Sequence, residues 1–241
     1  MNRKKGGPHY FPGALPQVEF LARSFKILAA NGFTPENTIV GVCVCREEPA
    51  CLLVEKIRKL WDRVYDFSSL AGMPFAGKTG FMKMQKYAPD DRTDTHFLYM
   101  AFPHIGWTPD GQIGRGAPLG PGNSYAACSG LIAFQQELAS GPSPWEPDSD
   151  NLEQGLLNQR LFRNMKYGDG SDCLSLTRLA YTIILQDVEK LLELTLKNLD
   201  NPYALVTGIQ LNGNGDQDFI WPGEMYEVIP RKRIDLSLIF D

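Results

Sequence analysis

Cysteine and histidine side chains able to hold a metal ion stand at three separate points of the chain. Cys45, His104 and Cys128 are 59 and 24 residues apart. Zinc prefers thiolate and imidazole ligands, and a catalytic zinc site uses three protein ligands and leaves the fourth position to water. Two cysteines and one histidine meet that requirement, although their spacing matches no compact zinc signature. We therefore predict a zinc site of the catalytic kind at these residues.

Each of these residues also has an ordinary structural explanation. Cys45 can be a small buried hydrophobe, as we expect of Cys43 and Cys51, and Cys128 can pack inside a helix. His104, which follows a proline, can cap a loop. A Cys45 nucleophile with His104 as its base is a further alternative, but the sequence suggests no third group to orient the base.

The predicted elements explain how residues so far apart can meet. Thr38–Cys45 is a continuous β-branched run of the kind buried on both faces of a parallel sheet, and a second buried run, His96–Phe102, ends just before His104. Ligands bind at the carboxyl ends of such strands. Cys128 falls in the first turns of a helical segment over residues 124–140, where the positive end of the helix dipole favours a thiolate.

Further periodic segments alternate with these strands. The sequence predicts helices over about residues 16–30, 50–67 and, in two pieces, 172–199, and strands over 203–211 and 218–230. Strands that alternate with helices indicate an α/β fold with a central, mainly parallel sheet flanked by helices. We expect an N-terminal tail over residues 1–15 and a single domain over residues 16–241.

Composition excludes several classes of protein. The chain has 241 residues, a net charge of -4 and 43% hydrophobic residues. The charge argues against a nucleic-acid partner, and no apolar run approaches the ~20 residues of a membrane span. The N-terminus turns to Gly and Pro instead of an apolar signal segment, so we expect a cytoplasmic protein, or one of an organelle stroma if a transit peptide has been removed. Three of the five cysteines crowd into residues 43–51, unlike a disulfide framework.

A different motif suggests an alternative function, nucleotide binding. Residues Gly72–Thr79 fit G-x-x-x-x-G-K-[ST], the pattern of a nucleotide-binding P-loop. A P-loop should follow a buried strand, whereas Asp62–Phe67 is mixed in character. A P-loop protein also needs a second buried strand that ends in an aspartate. The best candidate here ends at His104 instead. Nucleotide binding is therefore the weaker alternative.

Several segments taken together resemble one known family. In order along the chain they are NTIVGVCVCREE, YDFSSLAGMPFAGKTGF, YMAFPHIGWTPDGQIGRG and SYAACSGLIAFQQEL. They are similar to the limiting-CO2-inducible protein B/C family, the theta-class carbonic anhydrases. The resemblance implies a fold like that of the beta carbonic anhydrases, a homodimer, and zinc held by Cys45, His104 and Cys128. It also implies reversible hydration of carbon dioxide to bicarbonate by attack of zinc-bound hydroxide.

The same resemblance implies an acidic residue two positions after the first cysteine, paired with an arginine. Glu47 holds the acid position, one methylene longer than Asp. Pro49 stands where a C-x-D-x-R pattern would put the arginine, so Arg46 or Arg115 would have to supply it.

Two further expectations concern substrate and turnover. Phe75 and Phe81 would supply apolar walls for the substrate, unless they are ordinary core residues. The altered acid and arginine pair keeps open a catalytically weak homologue in inorganic carbon acquisition that binds zinc and bicarbonate or forms a complex.

Overall fold

The computed structural model describes residues 9–88, 94–108, 112–116, 125–141, 149–166, 170, 172–196, 199–213, 218–229 and 232–240. The helices are α1 (Gln17–Ala30), α2 (Glu48–Arg58), α3 (Gly77–Gln85), α4 (Ser129–Ser140), α5 (Leu152–Asn164) and α6 (Cys173–Leu196). The strands are β1 (Leu15–Pro16), β2 (Thr38–Val44), β3 (Arg63–Asp66), β4 (His96–Phe102), β5 (His104–Gly106), β6 (Arg115–Gly116), β7 (Tyr125–Ala126), β8 (Tyr203–Asn212), β9 (Phe219–Ile229) and β10 (Lys232–Asp235).

One mixed sheet organises the protein. Its strand order is β1-β9-β8-β4-β2-β3, with β5 beside β8 and β10 beside β9. Strands β2, β3, β4, β5 and β8 pair in parallel, and β9 runs antiparallel to β8, β1 and β10. Strands β6 and β7 form a separate antiparallel ribbon. The predicted α/β fold with a mainly parallel central sheet is confirmed.

Alternating residues of β2 feed two cores, one on each face of the sheet. Val40, Val42 and Val44 pack in the core that α1 and α2 cover. Ile39 and Cys43 pack in the other core, which contains buried residues of α3, α4, α5 and α6. Every residue of β2 is buried, as the continuous apolar run predicts. None of the described helices is long and apolar enough to span a bilayer.

Two helical predictions need correction. The segment 50–67 does not stay helical: α2 ends at Arg58, and Arg63–Asp66 joins the sheet as β3, a half-exposed edge strand parallel to β2. The segment 172–199 holds one continuous helix, α6, because its buried residues recur every three or four positions from Leu176 to Leu196. Helix α5 is an element that the sequence analysis left unassigned.

Part of the expected N-terminal tail packs on the domain. Residues 1–8 lie outside the described residues, but Phe11 is only 3% exposed. Its ring lies 6.2 Å from that of Trp221 and 5.5 Å from the guanidinium of Arg178. Leu15–Pro16 then pairs with β9. Packing on the sheet therefore begins before residue 16.

Candidate metal centre

The predicted metal ligands converge at one end of the parallel strands. Cys45 directly follows β2, His104 is the first residue of β5, and Cys128 is the N-cap residue of α4. All three side chains are fully buried. The two sulfur atoms lie 3.8 Å apart, and the donor atoms of these residues and of Glu47 all lie within 4.8 Å of one another. The structure thus brings together residues that are distant in sequence.

The geometry of these donors fits a tetrahedral zinc ion. Two sulfurs bound at about 2.3 Å around a tetrahedral ion stand about 3.8 Å apart, which matches the distance between Cys45 and Cys128. Nε2 of His104 is buried and has no hydrogen-bond partner among the described residues. Oε2 of Glu47 lies 3.3 Å from this nitrogen, the spacing of about 3.3 Å expected for nitrogen and oxygen donors on one such ion. A buried unpaired nitrogen is costly unless something binds it.

Glu47 joins the site from the turn before α2. Its Oε1 accepts hydrogen bonds from the backbone N–H and the hydroxyl of Ser129, both at 2.7 Å. Ser129 is the first residue of α4, where the helix dipole favours a carboxylate. The other oxygen, Oε2, is left facing His104. The carboxylate is therefore fixed by one oxygen and presents the second to the donor group.

Asn212 is a member of the site that the sequence analysis missed. Its Oδ1 lies 2.9 Å from Nδ1 of His104, and it is 1% exposed. The two residues are 108 positions apart, so no local motif connects them. The rule that located Cys45 and His104 also applies here, because Asn212 is a polar residue at the carboxyl end of a buried strand.

The buried ionisable groups of the site stabilise one another's charged forms. A hydrogen bond from Cys128 lowers the pKa of Cys45 to about 5 despite its burial. The neighbouring Cys45 thiolate and burial together raise the pKa of Cys128, so these two sulfurs share one proton. Burial alone would lower the pKa of His104, but the Cys45 thiolate and the Glu47 carboxylate raise it to about 10. Burial opposes ionisation of Glu47, yet His104 and Ser129 lower its pKa to about 2.

Arg46 turns away from Glu47. Its guanidinium pairs with Glu153 of α5 at 2.7 Å and reaches the carbonyl of Ser68 at 3.4 Å. The side chain of Arg46 is 61% exposed. Arg46 therefore ties α5 to the loop after β3, and its role as the arginine partner of Glu47 remains a prediction.

Arg115 lies on the ribbon that passes beside the site. A side chain at Gly106 would come within 2.7 Å of the backbone of Arg115, so β6 crosses closely over β5, two residues beyond His104. The side chain of Arg115 is exposed. The strand is thus near the donor group, and whether its guanidinium serves Glu47 stays a prediction.

The two aromatic candidates occupy different surroundings. Phe81 is fully buried in a stack between Phe67 and Tyr99, with ring centroids 5.1 Å apart on either side. Phe75 is partly buried and lines a cleft with residues of α5 and α6. Phe81 thus has the surroundings of a core residue, and the predicted substrate wall stays untested for both.

The segment that fits the P-loop pattern packs at Gly72 against the backbone beside Cys45. The strand that precedes it, β3, is a partly exposed edge strand and not the buried strand that a P-loop should follow. The N–H groups of the segment at Gly72, Met73, Phe75 and Gly77 donate to carbonyls within the loop, so they are not directed at a phosphate. A side chain at Gly72 would lie 3.3 to 3.4 Å from backbone atoms of β2, β4 and Cys45. Close packing at the strand ends therefore accounts for that glycine.

Fold and site together define a protein of the beta-carbonic-anhydrase type with a buried cysteine and histidine donor group. Residues 14–229 match the family model described as limiting CO2-inducible proteins B/C beta carbonic anhydrases, and the chain belongs to that family. The crystal structure of limiting CO2-inducible protein LCIB is 26% identical, with a TM-score of 0.79 over 98% of this chain and 99% of that one. PtLCIB4, a homolog of LCIB, is 24% identical and shares the fold, with a TM-score of 0.80 over 94% and 96%. No curated protein matches the chain.

Proposed function

We propose that this protein is a zinc-dependent carbonic anhydrase, which reversibly hydrates carbon dioxide to bicarbonate. The observation that carries the proposal is the buried Nε2 of His104, which makes no hydrogen bond within the described residues and is grouped with two cysteine sulfurs and a carboxylate in a chain of this family. In line with the family resemblance, we extend the proposal to a homodimer that works in the cytoplasm or an organelle stroma.

Each residue of the group has a distinct part. Cys45, His104 and Cys128 would hold the zinc ion. Zinc, when bound, lowers the pKa of a coordinated water to about 7 and so supplies a nucleophile at neutral pH. Glu47 would accept a hydrogen bond at the fourth position through Oε2, while Ser129 keeps its carboxylate from rotating. Two thiolates cancel the charge of the ion, so the pKa of the coordinated water would be higher than in a site of three histidines. The hydrogen bond that Glu47 accepts would therefore matter more for activating that water.

Three observations support a second candidate function, the binding of zinc and bicarbonate without turnover. Arg46 pairs with Glu153, and Pro49 stands where the family pattern would place an arginine. The 3.3 Å spacing between Oε2 of Glu47 and Nε2 of His104 would also let Glu47 itself fill the fourth position. A zinc ion closed in this way would have no open position for water, and bicarbonate would have to bind beside the ion instead of on it.

Stopped-flow hydration of carbon dioxide from about pH 6.5 to 9 separates the two candidates. We expect a rate that rises with pH as the coordinated water ionises. We also expect Glu47→Ala to lower that rate by about 10- to 100-fold while zinc content stays the same. Glu48→Ala, one residue further on and exposed, is the matched control and should keep the full rate. Zinc-loaded wild-type protein at the buffer rate throughout would favour the binding function.

A further inference from the structure

Two buried amides on β8 meet the turn that carries Glu47. Gln210 and Asn212 are at most 1% exposed, and their alternate positions place them on the same face of the strand. Their side-chain nitrogens lie 3.3 and 3.4 Å from the carbonyl oxygen of Pro49 in the first turn of α2. Pro49 follows Glu47 by two residues. The pair therefore contacts the turn of Glu47, and Asn212 also contacts His104.

Hydrogen-bond chemistry allows one consistent arrangement here. A carbonyl oxygen only accepts, so Asn212 must turn its NH2 group toward Pro49 and its Oδ1 toward His104. That oxygen also only accepts, so Nδ1 of His104 must carry a hydrogen. Once the ring gives up its second proton to bind a metal, its lone pair is therefore on Nε2, the atom that makes no hydrogen bond within the described residues.

Strand register reinforces this link. In the parallel pair of β5 and β8, His104 stands opposite Gln210, and Gly106 stands opposite Asn212. His104 is thus held by backbone pairing to the same strand whose side chains hold Pro49. A displacement of β8 would move the imidazole and the turn of Glu47 together.

We propose that Gln210 and Asn212 are positioning residues that fix the tautomer of His104 and the turn of Glu47 relative to one another, through the carbonyl of Pro49. This inference rests on the proposed zinc site. Ligating histidines depend on such partners, whose loss typically lowers metal affinity by about 10- to 100-fold. A purely structural role for the pair would change stability without changing how the site binds metal.

Zinc affinity, measured by competition with a chromogenic chelator, tests the role of Asn212. We expect Asn212→Leu to weaken binding by about 10- to 100-fold and Asn212→Ser, whose hydroxyl is too short to reach Nδ1, by about 10-fold. Asn212→Asp keeps an acceptor for Nδ1 but loses the NH2 group that donates to Pro49, so we expect it to recover only part of the affinity. Thr207→Val is the matched control, since it removes a buried hydrogen bond to the Glu224 carbonyl from the same strand.

The outcomes separate this inference from the proposed function. Wild-type protein that binds no zinc would refute the metal site itself. Wild-type affinity in both Asn212→Leu and Asn212→Ser, or equal losses in Thr207→Val, would overturn the role of Asn212; the serine variant carries the test if the leucine variant does not fold. Gln210→Leu should weaken binding by about 3- to 10-fold, and unchanged affinity would remove Gln210 from the proposal.

Discussion

At the scale of single residues, the cysteine and histidine donors hold protons that a zinc ion would have to displace. Cys45 is already a thiolate near neutral pH, because its pKa falls to about 5. Cys128 keeps its proton, since its pKa is raised, and His104 keeps its second proton up to about pH 10. Glu47 is ionised throughout, with a pKa of about 2. Zinc needs two thiolates and a neutral imidazole.

We therefore expect zinc binding near pH 7.5 to release about two protons per ion, from Cys128 and His104. Both have raised pKa values, so the apparent zinc affinity should increase as the pH rises toward about 10. Calorimetric titration in buffers of different ionisation enthalpy measures the proton count. Cys128→Ser should release about one proton fewer, and a wild-type count near zero would contradict these ionisation states.

The sequence pointed to the grouped cysteine and histidine side chains more readily than to the residues that support them. Thiolate and imidazole at strand ends are chemically distinctive, so Cys45 and His104 could be predicted from type and place. Ser129 and Asn212 carry ordinary polar groups, and only the folded chain shows what they face. The side-chain direction of Arg46 was equally out of reach, because its partner Glu153 is 107 residues away.

At the scale of elements, the loop between β3 and α3 supports the metal site through its backbone. Gly72 has φ +77° and Gly77 has φ +56°, a region that other residues rarely adopt. A Cβ at Gly72 would also press on the backbone of Cys45 and Phe102, whereas none of the described atoms lies within 4 Å of one at Gly77. The two glycines thus share a conformation and differ in surroundings.

This difference predicts unequal effects of alanine at the two positions. Gly77→Ala should lower the free energy of unfolding by about 1 kcal/mol, the cost of the left-handed conformation. Gly72→Ala should cost about 3 kcal/mol and also reduce zinc occupancy, because the crowding shifts the backbone of Cys45. Chemical denaturation and metal analysis of both variants check this. Equal zinc loss in both would show that conformation alone matters.

Element types were predictable where one pattern dominated. The apolar run of β2 fits a buried strand, and β2 is one. Apolar residues at Ile57, Leu60 and Val64 also fit a helix, but β3 gains more from parallel pairing with β2 than from one more helical turn. The helical spacing of apolar residues and the pairing of strands favour different structures for this segment. Tertiary contacts decide between them, and a single sequence does not show those contacts.

At the scale of the whole molecule, a metal ion would connect segments that the chain keeps far apart. The two sulfur atoms belong to residues 83 positions apart, and α2, β3, α3 and β4 lie between them in sequence. An ion that binds only the folded state stabilises it in proportion to its affinity and concentration. A tight site of this kind should therefore add to the stability of the entire fold.

Removal of zinc by a chelator should lower the melting temperature by about 10 °C, since a ligand at 1,000 times its Kd adds about 4 kcal/mol and each kcal/mol shifts a chain of this size by about 2–4 °C. Cys45→Ser should show no further fall on chelation, because it cannot hold the ion. Cys43→Ser, two residues earlier on β2 and equally buried, should respond like the wild type. A wild-type melting temperature indifferent to chelator would contradict the metal site.

The place of β8 in the sheet has a consequence for biosynthesis. The chain is made from its N-terminus, so Cys45 and Cys128 leave the ribosome well before Asn212. Yet β8 lies between β4 and β9 and pairs with the strand of His104. Until it arrives, the nascent chain has neither the partner for Nδ1 of His104 nor a closed sheet around the thiols. We therefore expect a metal ion to be loaded only after β8 has been made, and both thiols would have to stay reduced until then.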